Sequence, residues 1–167
     1  MPLNAMLMQE LEMEAQTTRR LLERVPEGRM DWRPHPRSRT LGELAMHIAT
    51  VPAAVAALAA QASPAQVPDF ADPPPPARAA DFAPLLDETI AQTKRTLAGM
   101  DDPALTEIWR LMRGERELMA LPRAAFLRAI MLNHWYHHRG QLSVYLRELD
   151  VPIPSIYGPS ADENPFA

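Results

Sequence analysis

The 167-residue sequence contains no cysteine, which excludes a disulfide framework, a thiolate metal site and a cysteine nucleophile. It also lacks an excess of positive charge. Lys and Arg total 17 against 21 Asp and Glu, a net charge of −4, so the basic stripe of a nucleic-acid-binding protein is missing. No long apolar run is present either. The longest, Val51 to Ala60, is about half of the roughly 20 residues that a membrane-spanning helix needs. Met1-Pro2-Leu3-Asn4 has neither the basic start nor the apolar stretch of a secretory signal. Glycine is scarce at 6 residues, whereas proline is abundant at 18, about twice average usage. A hydrophobic share of 47% with 23% charged residues excludes global disorder. These features predict a soluble, cytoplasmic protein with one domain over residues 1–167.

Four segments carry helical periodicity, and the predicted class is all-α. The first runs from about Asn4, a candidate N-cap, to Val25, with Leu7, Leu11, Thr18, Leu21, Leu22 and Val25 on one face. Pro26 and Gly28 end it, and Pro34 and Pro36 hold the following segment extended. Thr40-Leu41-Gly42-Glu43 has the spacing of a capping box and starts a second helix that reaches about Gln61. Pro52 lies inside it, removing one backbone donor and crowding the carbonyl of Ile48. Ser63 to Ala80 is a long proline-rich crossover, extended and semi-rigid. Asp81 is positioned to cap a third helix that stops near Gly99. Thr106 to Leu121 reads as a short extended segment turning near Gly114. Pro122 opens a fourth helix to about Leu149, and the tail after Val151 drapes over the helices.

Histidine carries the chemistry. Positions four apart on a helix differ by about 40°, so His134 and His138 project to one side. Their row extends through Leu127, Met131, Gln141 and Tyr145 and is largely apolar, as expected of a face turned inward. His47 occupies a similar row with Leu44, Ile48 and Val51. Two neutral imidazoles one turn apart can chelate a divalent ion, and a third from a facing helix leaves one position open. His137, at i+3 from His134, is a rival ligand on spacing alone. His35, between two prolines, reads as a loop residue, and the methionines as core filling.

Three stretches resemble the DinB family. Trp32-Arg33-Pro34-His35-Pro36, followed by Arg39-Thr40-Leu41-Gly42-Glu43-Leu44-Ala45-Met46-His47-Ile48, is similar to its second-helix signature. Asn133 to Leu142 resembles its H-x-x-x-H-R-G-Q pattern, and Val151 to Gly158 its usual ending. The resemblance implies a four-helix bundle, usually dimeric, with a divalent metal ion such as zinc or nickel on His47, His134 and His138. It argues against His137. Glu43 and Gln141 are the candidates for orienting a ligand or a water, although Glu43 is equally accounted for by the capping box. Arg139 reads as a salt-bridge or tail contact, or as part of a basic pocket with Arg39. Gly140 reads as a point of close helix approach, and Trp32 as a loop anchor.

Three neutral imidazoles leave a divalent ion electrophilic, able to lower the pKa of bound water or to hold a thiolate. The resemblance extends to thiol-dependent S-transferases. The expected activity is therefore a metal-dependent enzyme that activates a low-molecular-weight thiol. A hydrolase, with Glu43 as its general base, and a stress-associated binding protein without turnover are the alternatives. Leu3, Leu7, Val144 and Leu146 suggest a homodimer face.

Overall fold

The structure is a computed structural model describing residues 1–69 and 71–167; Phe70, within the Ser63–Ala80 crossover, lies outside them. Helix α1 (Leu3–Leu22) buries Leu7, Leu11, Thr18, Leu21 and Leu22, the predicted face, and Val25 is buried just beyond its end. Asn4 is not its cap. The helix begins at Leu3, whose amide donates to Asp102 Oδ1 at 2.7 Å, so the cap comes from a distant part of the chain.

Helix α2 (Leu41–Ala59) starts with the predicted capping box: Thr40 Oγ1 accepts from the Glu43 amide at 3.1 Å, and Glu43 Oε2 accepts from the Thr40 amide at 2.6 Å. Its length and apolar composition suffice to cross a membrane, although no single uninterrupted run does. It is instead largely covered by the rest of the chain. It runs through Pro52 unbroken. The carbonyl of Ile48, which Pro52 cannot serve, accepts a 2.8 Å hydrogen bond from Trp135 Nε1. A buried acceptor is thereby satisfied from another helix.

Helix α3 (Phe82–Ala98) follows a 3₁₀ turn, Ala79–Asp81. Asp81 does not cap it; its carboxylate pairs with Arg78 at 2.5 Å. A short α4 (Asp102–Thr106) leads into strands β2 (Ile108–Arg113) and β3 (Arg116–Pro122), an antiparallel hairpin. Gly114 sits at its turn with φ of +59°, where a side chain would be strained.

The all-α expectation needs correction here. Strand β1 (Ala65–Gln66), inside the crossover, pairs parallel with β2 and completes a three-stranded sheet in the order β1-β2-β3. The Gln66 side chain fastens the hairpin, its Oε1 accepting from the Gly114 amide at 3.0 Å. The molecule is mostly helical with this small sheet.

The predicted fourth helix is one helical run of three parts: α5 (Arg123–Phe126), a π-helical stretch (Leu127–Asn133) and α6 (His134–Glu148). π-Helical turns interrupt the ordinary 3.6-residue repeat and are frequent next to functional sites. Both α1 and α2 pack against α3 and α6, and their inward faces join one cluster of buried residues. Leu7 and Leu146 belong to that cluster, Leu3 is half-buried, and Val144 is exposed. Only the last of these keeps a free apolar face. Met46, Met100 and Met131 fill core as expected, but Met6 and Met13 face solvent. Gly140 marks no close approach; a Cβ there would meet nothing within 4 Å.

Arg139 is buried and takes the tail-contact role rather than the pocket role. Its guanidinium pairs with Glu14 at 2.5 Å and lies 5.1 Å from the Tyr136 ring and 4.9 Å from the Tyr157 ring. The tail is held further by Arg20 to Glu163 at 2.5 Å and by Arg147 of α6 to Asp162, whose carboxylate also accepts from the Ile153 amide at 2.8 Å.

The Pro52–Ile48–Trp135 arrangement predicts a measurable coupling. Trp135→Phe removes the indole donor and leaves a buried carbonyl unpaired, a cost of about 1–3 kcal/mol beyond the lost packing. Pro52→Ala restores an amide donor to Ile48. In a urea-unfolding double-mutant cycle, the Trp135→Phe cost is therefore expected to shrink in the Pro52→Ala background. Strict additivity of the two substitutions would contradict this account.

Candidate metal centre

His47 projects from the buried face of α2, and His134 and His138 from the first turn and a half of α6. The Trp135–Ile48 hydrogen bond lies between the neighbours of these residues in sequence, so it sets the register at which the two helices present them. The three rings converge: the centroid of His47 is 5.2 Å from that of His134 and 4.5 Å from that of His138. One ring nitrogen from each lies within 4.8 Å of the others. His134 Nε2 and His138 Nε2 are 2.7 Å apart. His137 is not in this group. Its Nε2 accepts from Gln141 Nε2 at 3.0 Å, away from the cluster. His35 is a loop residue, accepting from the Arg37 amide at 3.1 Å.

Outer contacts orient two of the three imidazoles. Gln141 Oε1 lies 2.7 Å from His138 Nδ1; an amide oxygen only accepts, so the ring carries its proton there and leaves Nε2 bare. Gln141 thus makes the hydrogen bond that orienting His138 requires. His47 Nδ1 lies 2.8 and 3.0 Å from the two oxygens of Asp72, and Arg39 pairs with the same carboxylate. His47 Nε2 and His134 Nδ1 are buried without a hydrogen-bond partner among the described residues. Buried polar atoms rarely stay unpaired. A bare imidazole nitrogen facing two others is the donor set that a divalent cation of borderline softness takes.

Asp72 is the member that sequence reasoning missed. It stands 25 residues from His47 in a proline-rich stretch, and no local periodicity relates the two. Glu43, by contrast, is exposed and occupied by the capping box. The Thr40 amide, donating to it, holds its carboxyl below the usual range.

The cluster forms one wall of a cavity of ≈ 520 Å³, a size suited to a small molecule. Val51, Ala54, Val55 and Ile130 make its apolar side, while Arg39, Ala71, Asp72 and Pro73 stand at the rim. Trp32 lies outside this lining and packs edge-on against Tyr145 at 5.6 Å, as a loop anchor would. Burial lowers the pKa of His134 and, reinforced by the neighbouring imidazoles, that of His138 to about 4. Both are therefore neutral, as ligands must be, at physiological pH. Burial alone would raise the Asp72 carboxyl, but hydrogen bonds from His47 and Arg39 outweigh it and hold the group ionised.

A sequence profile of the DinB superfamily matches residues 10–142. The chain belongs to the DinB superfamily. A DinB-like protein of Bacillus cereus superimposes with a TM-score of 0.68 at 25% identity, covering 90% of this chain and 95% of that one. A DinB-like protein of Bacillus subtilis gives 0.67 at 20% identity, with coverage of 90% and 97%. In sequence, the chain is 37% identical over 43 residues to the uncharacterized protein YrdA of Bacillus subtilis, a match covering 26% of this chain and 25% of that relative. The match thus spans about a quarter of the curated relative's length.

The buried imidazoles tie stability to pH. His134 and His138 titrate in the folded state below the unfolded value of about 6.5. Between those limits the unfolded chain binds more protons, so stability rises with pH. Metal-free protein is expected to lose stability as the pH falls from about 6.5 towards 4, and His138→Gln to flatten that part of the curve. Asp72 acts in the same direction at lower pH, its contribution present above about pH 4 and lost as its carboxylate protonates. Urea unfolding at stepped pH measures both; constant stability from pH 7 to 4 would contradict burial as the cause.

Proposed function

We propose that the chain binds one divalent metal ion through His47, His134 and His138 and acts as a metal-dependent enzyme on a low-molecular-weight thiol, in the manner of an S-transferase. One observation carries this reading: three imidazoles converge on the wall of a cavity large enough for a small substrate. Bound there, zinc or nickel would supply a Lewis acid that favours the deprotonated form of a thiol placed against it. The protein's part is to hold His134 and His138 neutral, orient the cluster through Gln141 and Asp72, and receive the apolar portion of a substrate against Val51, Val55 and Ile130. Arg39 at the rim offers a cation to an acidic thiol. The hydrolase alternative loses its base, because Glu43 serves the capping box and does not line the cavity. A binding protein without turnover is separated from an enzyme by assay.

The rest of the reading is a single cytoplasmic four-helix-bundle domain that acts on small molecules, engages neither nucleic acid nor membrane, and pairs as a homodimer. The dimer rests on the family resemblance and on exposed Met6, Met13 and Val144 on α1 and α6.

Elemental analysis is expected to find one metal ion per chain in the wild type and in His137→Ala, and none in His138→Ala. Cobalt-substituted protein should develop a sulfur-to-metal charge-transfer band with a small thiol, and thiol transfer should stop with chelator. Metal retained in His138→Ala but lost in His137→Ala would overturn the ligand set. A metal that no thiol reaches would overturn the enzyme. Sedimentation at micromolar concentration should give the mass of two chains, and a monomer mass would remove the dimer.

A further inference from the structure

The proline-rich crossover does more than connect α2 to α3, because it delivers a carboxylate to the imidazole of His47. A carboxylate can only accept hydrogen bonds, so the ring nitrogen facing it, Nδ1 at 2.8 and 3.0 Å from the two oxygens, must be the one that carries the proton. In the neutral ring the opposite nitrogen, Nε2, is then bare, and it is the atom that is buried without a partner among the described residues. An unrestrained neutral histidine in water favours the reverse arrangement, with its proton on Nε2. We propose that Asp72 is a positioning residue for His47, holding the Nδ1–H tautomer and aiming the Nε2 lone pair at His134 and His138.

Asp72 is itself held from two sides. Arg39, just before α2, pairs with its carboxylate. The Pro73–Pro76 run that follows restricts the backbone. Pro75 seats against the start of α2, its Cγ lying 3.3 Å from where a Cβ on Gly42 would be. The crossover is thus docked along α2 at two points, Gly42 and His47, and the second is where Asp72 acts. A side chain holding a metal ligand through its second nitrogen fixes both tautomer and ring orientation, and its removal typically costs about 10–100-fold in metal affinity.

The affinity consequence rests on the metal-binding reading, whereas the tautomer is a property of the metal-free protein. The experiment therefore has two parts. Nitrogen-15 NMR of the imidazoles in metal-free wild type at pH 8 should show His47 protonated at Nδ1 and bare at Nε2. Asp72→Ala should shift the proton towards Nε2. Zinc competition against a chromophoric chelator should show a loss of about 10–100-fold for Asp72→Ala. Asp72→Asn, which keeps the shape and whose amide oxygen can accept from Nδ1–H as Gln141 does for His138, should keep the tautomer and lose less than Asp72→Ala. Arg39→Ala loosens the crossover but keeps the carboxylate, and should lose far less; an equal loss would make Asp72 a tether only and overturn the proposal. A wild-type His47 protonated at Nε2 overturns it outright, as does unchanged zinc affinity in both Asp72 variants. If zinc does not bind the wild type while the Asp72-dependent tautomer is present, the positioning role stands and the metal-binding reading falls.

Discussion

A proline in the middle of a buried helix creates the contact on which the site depends. Pro52 cannot donate to the carbonyl of Ile48, and an unpaired carbonyl in the core costs about 1–3 kcal/mol. The indole of Trp135 meets that need at 2.8 Å. Because Ile48 follows His47 and Trp135 follows His134, satisfying the carbonyl also sets how α2 and α6 meet. A slip of one residue on either helix would turn an imidazole out of the cluster by about 100°. The helix defect and the convergence of the histidines are thus parts of one packing solution.

Electrostatics then determines what the converged rings can do. Burial keeps His134 and His138 uncharged, and Gln141 and Asp72 each occupy a second ring nitrogen. The negative charge nearest the cluster is compensated by Arg39, and Val51, Ala54, Val55 and Ile130 make one side of the cavity beside it apolar. The combination suits an electrophile presented to a small, partly apolar partner better than a solvated, water-rich site.

Much of this was legible in the residue pattern. The capping box placed the start of α2 because both of its hydrogen bonds are local, and the i, i+4 spacing paired His134 with His138 because helix geometry alone relates them. His47 could be joined to them only through the resemblance to a family. The unread parts are non-local. Strand β1 is two residues long and exists because the Ile108–Pro122 hairpin offers it an edge. The π-helical stretch before His134 leaves no mark in a hydrophobic row, since Leu127 and Met131 remain buried across it. Asp72 lay in a stretch whose composition spoke only of stiffness. Asn4 and Asp81 have the right chemistry for caps, yet a tertiary contact from Asp102 and a local ion pair with Arg78 took precedence.

Arg139 has a consequence for how the chain is made. Its buried guanidinium needs Glu14 from the first helix and lies against Tyr157 from the tail. During synthesis the first helix leaves the ribosome long before Arg139 or Tyr157 exists. Until Tyr157 has emerged, the charge on α6 lacks part of its enclosure, and an incompletely enclosed buried charge is costly. The arrival of Tyr157, rather than the formation of the helices, therefore completes that enclosure. A chain without Tyr157 would keep the Arg139–Glu14 pair, yet lose the aromatic cover that ties the segment after α6 back to the first helix.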